Sequence, residues 1–370
     1  MKRKDFFKGL AIGTIAAPFA IRALTGNSTA QNNNTANIIT QKKYQWKMVT
    51  TWPPGFPVIG EACQLFADVV KAMSGGRMEI RVYGGGELVP ALEVFDAVSS
   101  GTAEIGSGAA YYWAGKSPAA QFFASVPFGM NAQQLTAWIT AGGGLQLWET
   151  LYRDFNLVPM LGGNTGVQMG GWFNREINNI SDLRGLKMRI PGLGGDVLAK
   201  AGGSPVLLAG GEIYTSLELG VIDATEWLSP FHDTLMGFQD IAKYYYTPGW
   251  HEPGTAMEYI FNKKLFDALP ADLQAILRSA AMHSYVWMFA QMEAKNSATL
   301  TQLLSKGVNI RTFPAEVLAQ LRVYTQAVIE GLTAKDIFTR QVYESYEAFR
   351  QQATNWARIS EKQFYNNLEM

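Results

Sequence analysis

The chain has 370 residues, 48% of them hydrophobic, which is enough for two domains with cores of their own and excludes a disordered protein. Lysine plus arginine and aspartate plus glutamate each number 31, so no net field draws the chain to nucleic acid. The single Cys63 excludes an intramolecular disulfide framework, and the three histidines (His232, His251, His283) offer few nitrogen ligands for zinc or for Cys–His catalysis.

The first residues carry a targeting pattern. Lys2, Arg3, Lys4 and Lys8 precede an apolar run over 10–24, and small residues Ser28-Thr29-Ala30 follow it. Residues 1–30 are predicted to be a cleaved signal peptide that delivers a periplasmic protein. Two export routes stay open, because Arg3-Lys4-Asp5-Phe6-Phe7-Lys8 is similar to the twin-arginine pattern with lysine in the second place, and a Sec signal fits as well. A signal anchor is disfavoured: Pro18 and Arg22 interrupt a run already shorter than the roughly 20 residues of a membrane span. Polar residues 31–43 read as a linker.

From residue 44 the pattern alternates between strand and helix. Residues 44–51 predict a strand, Trp52-Pro53-Pro54-Gly55-Phe56-Pro57 a loop, and 58–74 a helix with apolar residues at helical spacing, closed by Gly75-Gly76. A strand over 78–83, a helix over 92–99 and a short strand over 103–106 follow, with Tyr111-Tyr112-Trp113 just past the strand end. After a helical stretch over 133–152 the alternation restarts with strands at 157–161, 168–174 and 187–190, a helix at 197–201 and a strand at 206–208. Such alternation predicts an α/β fold with a mainly parallel sheet, ligands lying outside the carboxyl ends of the strands. From Pro270 onward long amphipathic helices are expected over 271–304 and 315–343, with a third at 341–364.

Three charged residues stand out within weakly charged, Gly- and Trp-rich sequence: Arg189, Glu226 and Glu252. An arginine among apolar neighbours suits a carboxylate clamp, because its planar donors grip two oxygens and its charge does not titrate away. Two glutamates near the same pocket would repel that anion unless a cation lies between. An organic acid bound with a metal ion is therefore expected. Each residue also has a plainer reading: Arg189 as a salt-bridge partner, Glu226 as a surface acid, Glu252 as a loop carboxylate. Gln168 can offer a carbonyl to a hard cation and an amide to a substrate. Tyr111, Tyr112, Trp52 and Trp172 are candidates for an apolar wall, with core packing as the alternative. His251 and His283 are read as structural. All-oxygen ligation leaves sodium or calcium as the ion.

Taken together, several blocks identify a family. Trp52-Pro53, Glu87-Leu88, the segment 97–105, Asp182-Leu183-Arg184-Gly185-Leu186-Lys187-Met188-Arg189-Ile190-Pro191, the segment 217–224 and Leu269-Pro270-Ala271-Asp272 resemble the solute-binding proteins of tripartite ATP-independent periplasmic (TRAP) transporters. Within them, the segment 163–173, Glu226-Trp227 and Trp250-His251-Glu252-Pro253-Gly254 are similar to the branch that binds monocarboxylate 2-oxoacids such as pyruvate with a metal ion.

The resemblance implies a periplasmic binding protein-like fold: two α/β domains with a ligand cleft between them, long inter-domain helices and an additional C-terminal helix. Domain I would span 44–166 and 252–290, domain II 167–251 and 291–340, and residues 341–370 would form a C-terminal helix able to make a homodimer. Gln168 would touch substrate and metal, Arg189 would hold the carboxylate, and Glu226, Glu252 and the Trp227 carbonyl would complete the ion site. Tyr111 and Trp227 would also face the substrate. Sodium is expected with a 2-oxoacid and calcium with a hydroxyacid such as lactate. The partners would be the TRAP membrane permease subunits.

An enzyme using Glu226 and Glu252 as acid and base is the rival class. No nucleophile elbow or metalloprotease helix accompanies them, and neither Gly192-Leu193-Gly194-Gly195 nor Gly84-Gly85-Gly86 completes a phosphate-binding pattern. The chain is expected not to be an enzyme. A periplasmic module that reports to a sensor is the third class.

Overall fold

The computed structural model describes residues 42–368; the expected signal peptide, the linker as far as residue 41, and residues 369 and 370 lie outside the described residues. The first strands, β1 (Tyr44–Thr50), β2 (Met78–Tyr83), β3 (Ile105–Gly108) and β4 (Leu157–Asn164), follow the expected alternation. The helix Ile59–Met73 between β1 and β2 buries Ile59, Ala62, Cys63, Phe66, Ala67 and Val70, one face at helical spacing. Each such buried large side chain contributes about 1.5–3 kcal/mol.

Seven more strands complete the set: β5 (Gly171–Phe173), β6 (Lys187–Arg189), β7 (Ser204–Val206), β8 (Ala224–Thr225), β9 (Tyr244–Thr247), β10 (Ala256–Asn262) and β11 (Ile310–Thr312). They form two sheets, with orders β2-β1-β3-β10-β4 and β11-β9-β5-β8-β6-β7. The fold is α/β, as expected, but the sheets are mixed rather than mainly parallel. β10 runs antiparallel to β3 and β4, and β5 runs antiparallel to β8 and β9. The cause is long-range. The chain leaves the first sheet after β4, builds most of the second, and returns through β10, so its direction is not set by a local crossover helix.

Several helix limits also differ. The stretch 133–152 is two helices, Ala132–Ala141 and Gly144–Arg153, broken where Gly143 takes a left-handed φ of 94°. The stretch 315–343 is likewise divided into Ala315–Thr333 and Ile337–Ile359, and a short helix, Glu361–Asn366, follows the break at Ser360.

The helix Ala271–Ser305, 35 residues long, packs on β4 and on the helix Ile59–Met73. Ser284 Oγ lies 3.1 and 3.2 Å from the Ala62 and Gly162 carbonyl oxygens, either of which can accept its single proton, where the three elements meet. The same helix reaches the helix Pro230–Leu235, where Asn296 Oδ1 accepts from the Phe231 backbone N–H at 3.1 Å. Two buried carboxylates knit aromatic side chains into the core. Glu258 accepts from Trp113 Nε1 at 2.5 Å and Tyr152 at 2.9 Å, and Asp233 accepts from Trp172 Nε1 at 3.2 Å and Tyr245 at 2.8 Å. Among the described residues no helix is long and apolar enough to cross a membrane.

Candidate functional site

Of the three segments that carry the chain between the sheets, two meet at the site: the one joining β4 to β5 and the one joining β9 to β10. They run side by side. The Gln168 N–H donates to the Glu252 carbonyl at 3.2 Å, and the Gly249 N–H donates to the Gln168 carbonyl at 3.0 Å. This approach requires glycine at 249, because a Cβ there would stand 2.2 Å from the Gln168 carbonyl oxygen. Gln168 and Glu252 are thus placed face to face by backbone pairing.

Their side chains continue the contact. Gln168 Nε2 donates to Glu252 Oε2 at 2.7 Å and lies 3.2 and 3.3 Å from the Thr165 and Thr255 hydroxyls. Thr255 also donates to Glu252 Oε2. Gln168 Oε1 and Glu252 Oε1, both buried, have no hydrogen-bond partner among the described residues. Leaving such an oxygen unpaired costs about 1–3 kcal/mol. Burial raises the Glu252 carboxyl to about 7, and Glu226 adds to the rise, while His251, Thr255 and Arg189 oppose it.

Arg189 ends β6, whose register sets it opposite Thr225 of β8, so that Glu226 follows directly and its N–H donates to the Arg189 carbonyl at 3.1 Å. Both side chains are buried and ion-paired through Arg189 Nη1 and Glu226 Oε1. The same nitrogen donates to the Glu226 carbonyl at 3.1 Å; Nε reaches the Leu208 carbonyl and Nη2 the Tyr112 hydroxyl, each at 3.4 Å. Burial pulls the guanidinium pKa down, but Glu226, Tyr112, Tyr111 and Glu252 outweigh it and hold it above its usual value. Trp227 packs with its ring 5.1 Å from the guanidinium and 6.0 Å from Phe56, and its indole N–H has no partner among the described residues.

Tyr111, on the turn Ala110–Trp113 after β3, is buried with its ring 4.8 Å from Tyr112. Gly192, at φ 61°, fits against it: a Cβ there would lie 2.9 Å from the Tyr111 Cβ. Burial, then Glu252, pushes the Tyr111 phenol well up, which sets this ring within the field of the same carboxylates.

The structure therefore gathers Arg189, Glu226, Trp227, Gln168 and Glu252, with Tyr111 and Tyr112 beside them. It separates Trp172, which stacks on Tyr245 at 4.1 Å and donates to Asp233. Trp52 donates to Ser107 Oγ at 3.2 Å with its ring 6.4 Å from Tyr112. One residue read as structural belongs to the cluster. His251 Nε2 lies 3.3 Å from Glu226 Oε2, and one ligand atom each from Glu226, His251 and Glu252 fall within 4.8 Å of one another. Its position next to Glu252 was the signal available in sequence. Thr165 and Thr255, which hold Gln168 and Glu252 in place, carried no such signal.

Chemically, the cluster holds one fixed cation, two carboxylates and an amide, with two hard oxygens lacking any donor. Those oxygens fit a hard cation, which satisfies bare acceptors that no buried N–H reaches.

Comparison with known proteins identifies the family. Residues 48–336 match the family described as Bacterial extracellular solute-binding protein, family 7. The chain is 40% identical over 366 residues to a monocarboxylate 2-oxoacid-binding periplasmic protein of Nostoc sp., covering 99% of this chain and 98% of that one. A TRAP periplasmic solute-binding protein from Colwellia psychrerythraea, with bound calcium and pyruvate, is 42% identical at a TM-score of 0.86, covering 88% of this chain and 100% of that one. One from Pseudoalteromonas atlantica, with bound sodium and pyruvate, gives 42% and 0.86, covering 88% of this chain and 99% of that one. These relatives are receptors that bind solutes and are not enzymes. With its two mixed sheets and its paired crossover segments, the chain belongs to the DctP family of bacterial extracellular solute-binding proteins.

Proposed function

We propose that this protein is the solute-binding subunit of a TRAP transporter, capturing a monocarboxylate 2-oxoacid of pyruvate type together with a metal ion and delivering it to the membrane permease. The observation that carries this reading is the pair of buried oxygens, Gln168 Oε1 and Glu252 Oε1, that have no hydrogen-bond partner among the described residues, with the Arg189 charge near enough to act on the Glu252 carboxyl. Gln168, Glu226 Oε2, Glu252 and the Trp227 carbonyl would hold the ion, whose charge offsets the repulsion between the carboxylates and an anionic substrate. Arg189 keeps Nη1 on Glu226, so the substrate carboxylate would meet Nη2, whose contact to Tyr112 is long at 3.4 Å. Tyr111 and Tyr112 would wall the methyl end.

Sodium and calcium each accompany pyruvate in one relative, so calcium does not by itself point to a hydroxyacid. Sodium with a 2-oxoacid is the main reading for this chain, and calcium with lactate the second. The reading includes a periplasmic location after removal of residues 1–30, in keeping with the family's extracellular character. It also includes domains at 44–166 with 252–290 and 167–251 with 291–340, and a homodimer through the C-terminal segment 341–370, whose two helices expose Trp356 and Ile359 on the first and Phe364 on the second.

A thermal-unfolding panel tests it, because a ligand that binds only the folded state raises Tm by mass action. Pyruvate or longer 2-oxoacids should raise Tm in the presence of sodium or calcium and do so less without them. A response confined to dicarboxylates or sugar acids would overturn the substrate assignment.

A further inference from the structure

His251 is the unexpected member of the cluster, and its ring nitrogens are the informative atoms. Nε2 lies 3.3 Å from Glu226 Oε2, while Nδ1 is buried with no partner among the described residues. Either neutral tautomer leaves a lone pair unanswered. With the proton on Nε2, that N–H serves Glu226 and Nδ1 is a bare acceptor. With the proton on Nδ1, the Nε2 lone pair faces a carboxylate oxygen, two acceptors opposed, which a cation between them relieves. Two ligand atoms on one ion, at bonds of roughly 2.0–2.2 Å, stand roughly 3.0–3.5 Å apart, so the 3.3 Å separation fits a shared ion. Glu252 Oε1, also partnerless, lies on the third residue of the group whose ligand atoms fall within 4.8 Å of one another.

Sodium and calcium take oxygen ligands and gain little from imidazole, whereas zinc and cobalt class ions favour it. We propose that the site also takes a divalent transition ion, of the cobalt or zinc class, with a His251 ring nitrogen as ligand beside Glu226 and Glu252. This rests on the cation-site reading above and deepens it: the chain discriminates among ions through a nitrogen that an all-oxygen site lacks.

The test uses purified protein freed of metal with a chelator and labelled with 15N-histidine. On addition of zinc chloride, a ring nitrogen of one histidine shifts, assigned to His251 by elimination with His232→Gln and His283→Gln, and calcium chloride leaves it in place. In calorimetric titrations the ratio of cobalt to calcium affinity falls about tenfold in His251→Gln. An unmoved His251 ring under zinc overturns the proposal, as does an unchanged ratio in the variant. If His251→Gln does not fold, the wild-type resonance decides alone. Calcium with pyruvate binding while zinc leaves His251 unmoved removes only this inference; failure of every cation to bind removes the function proposed above as well.

Discussion

Arg189 and Glu226 form a buried ion pair at the adjoining ends of β6 and β8, with both side chains 1% exposed. The pairing gives the arginine two tasks. It neutralises Glu226, and it presents its second terminal nitrogen toward the Tyr112 hydroxyl, where a substrate carboxylate would bind.

Arg189→Met is expected to abolish 2-oxoacid binding and also to destabilise the fold, because it strands Glu226 in the interior. Removing one partner of a buried pair costs about 3–5 kcal/mol. Arg189→Met combined with Glu226→Gln should recover most of that stability and none of the binding, as read by urea unfolding and calorimetry. Equal stability of the single and double variants would argue against the pair as drawn.

Glu252→Gln should weaken cation binding by about 100-fold, since it removes the charge from a carboxylate whose Oε1 has no partner among the described residues. The substitution should leave the cation-free protein at pH 8 as stable as the parent or more so, because the parent must bury a charged carboxylate there. Melting curves with and without calcium check both halves.

Three buried carboxyls, Asp233, Glu252 and Glu258, are each raised to about 7, with burial the leading cause. Their folded-state values exceed the unfolded ones, so their contribution is fully present below about pH 4, and is lost as pH rises through 7. Cation-free protein should therefore lose several degrees of Tm between pH 5.5 and 8, at roughly 2 °C per kcal/mol. Calcium should flatten the Glu252 part of that slope. A Tm that rises over this range would contradict the burial argument.

Gly249→Ala should cost at least about 1–3 kcal/mol and lower 2-oxoacid affinity at least tenfold, because its Cβ would collide with the Gln168 carbonyl and part the two crossover segments. Gly55→Ala, at a left-handed φ of 64° but with open space around it, should lose stability with little effect on binding. The contrast separates local strain from damage to the site.

Much of this architecture was legible because it is local. Alternation at 44–50 and 78–83, the helical face from Ile59 to Val70, and the run of motif residues around Arg189, Glu226 and Glu252 each declare themselves within a short window. The remainder was hidden for physical reasons. β8 has 2 residues and β11 has 3, too few to show a period, and they exist because neighbouring strands accept their hydrogen bonds. β10, buried throughout, shows no inside–outside alternation, and its antiparallel sense follows from the return path of the chain. His251 escaped for a related reason: its partner Glu226 is 25 residues away, and only the fold brings them within 3.3 Å.

Gln168 and Glu252 stand on two of the segments that cross between the sheets, so under the proposed two-domain division the site would be linked to domain closure. An ion shared between them ties the segments whose backbone torsions would change if the sheets reoriented, so closure would be favoured by contacts made only when the ion is present.

Metal-assisted capture of pyruvate is tested by a calorimetric titration of pyruvate into chelator-treated protein, repeated with sodium and with calcium. Either or both cations should raise pyruvate affinity by at least tenfold, and pyruvate should raise the affinity of that cation by the same factor, as linkage requires. Pyruvate affinity independent of any cation would contradict metal-assisted capture, leaving Gln168 and Glu252 as structural residues of the crossover segments.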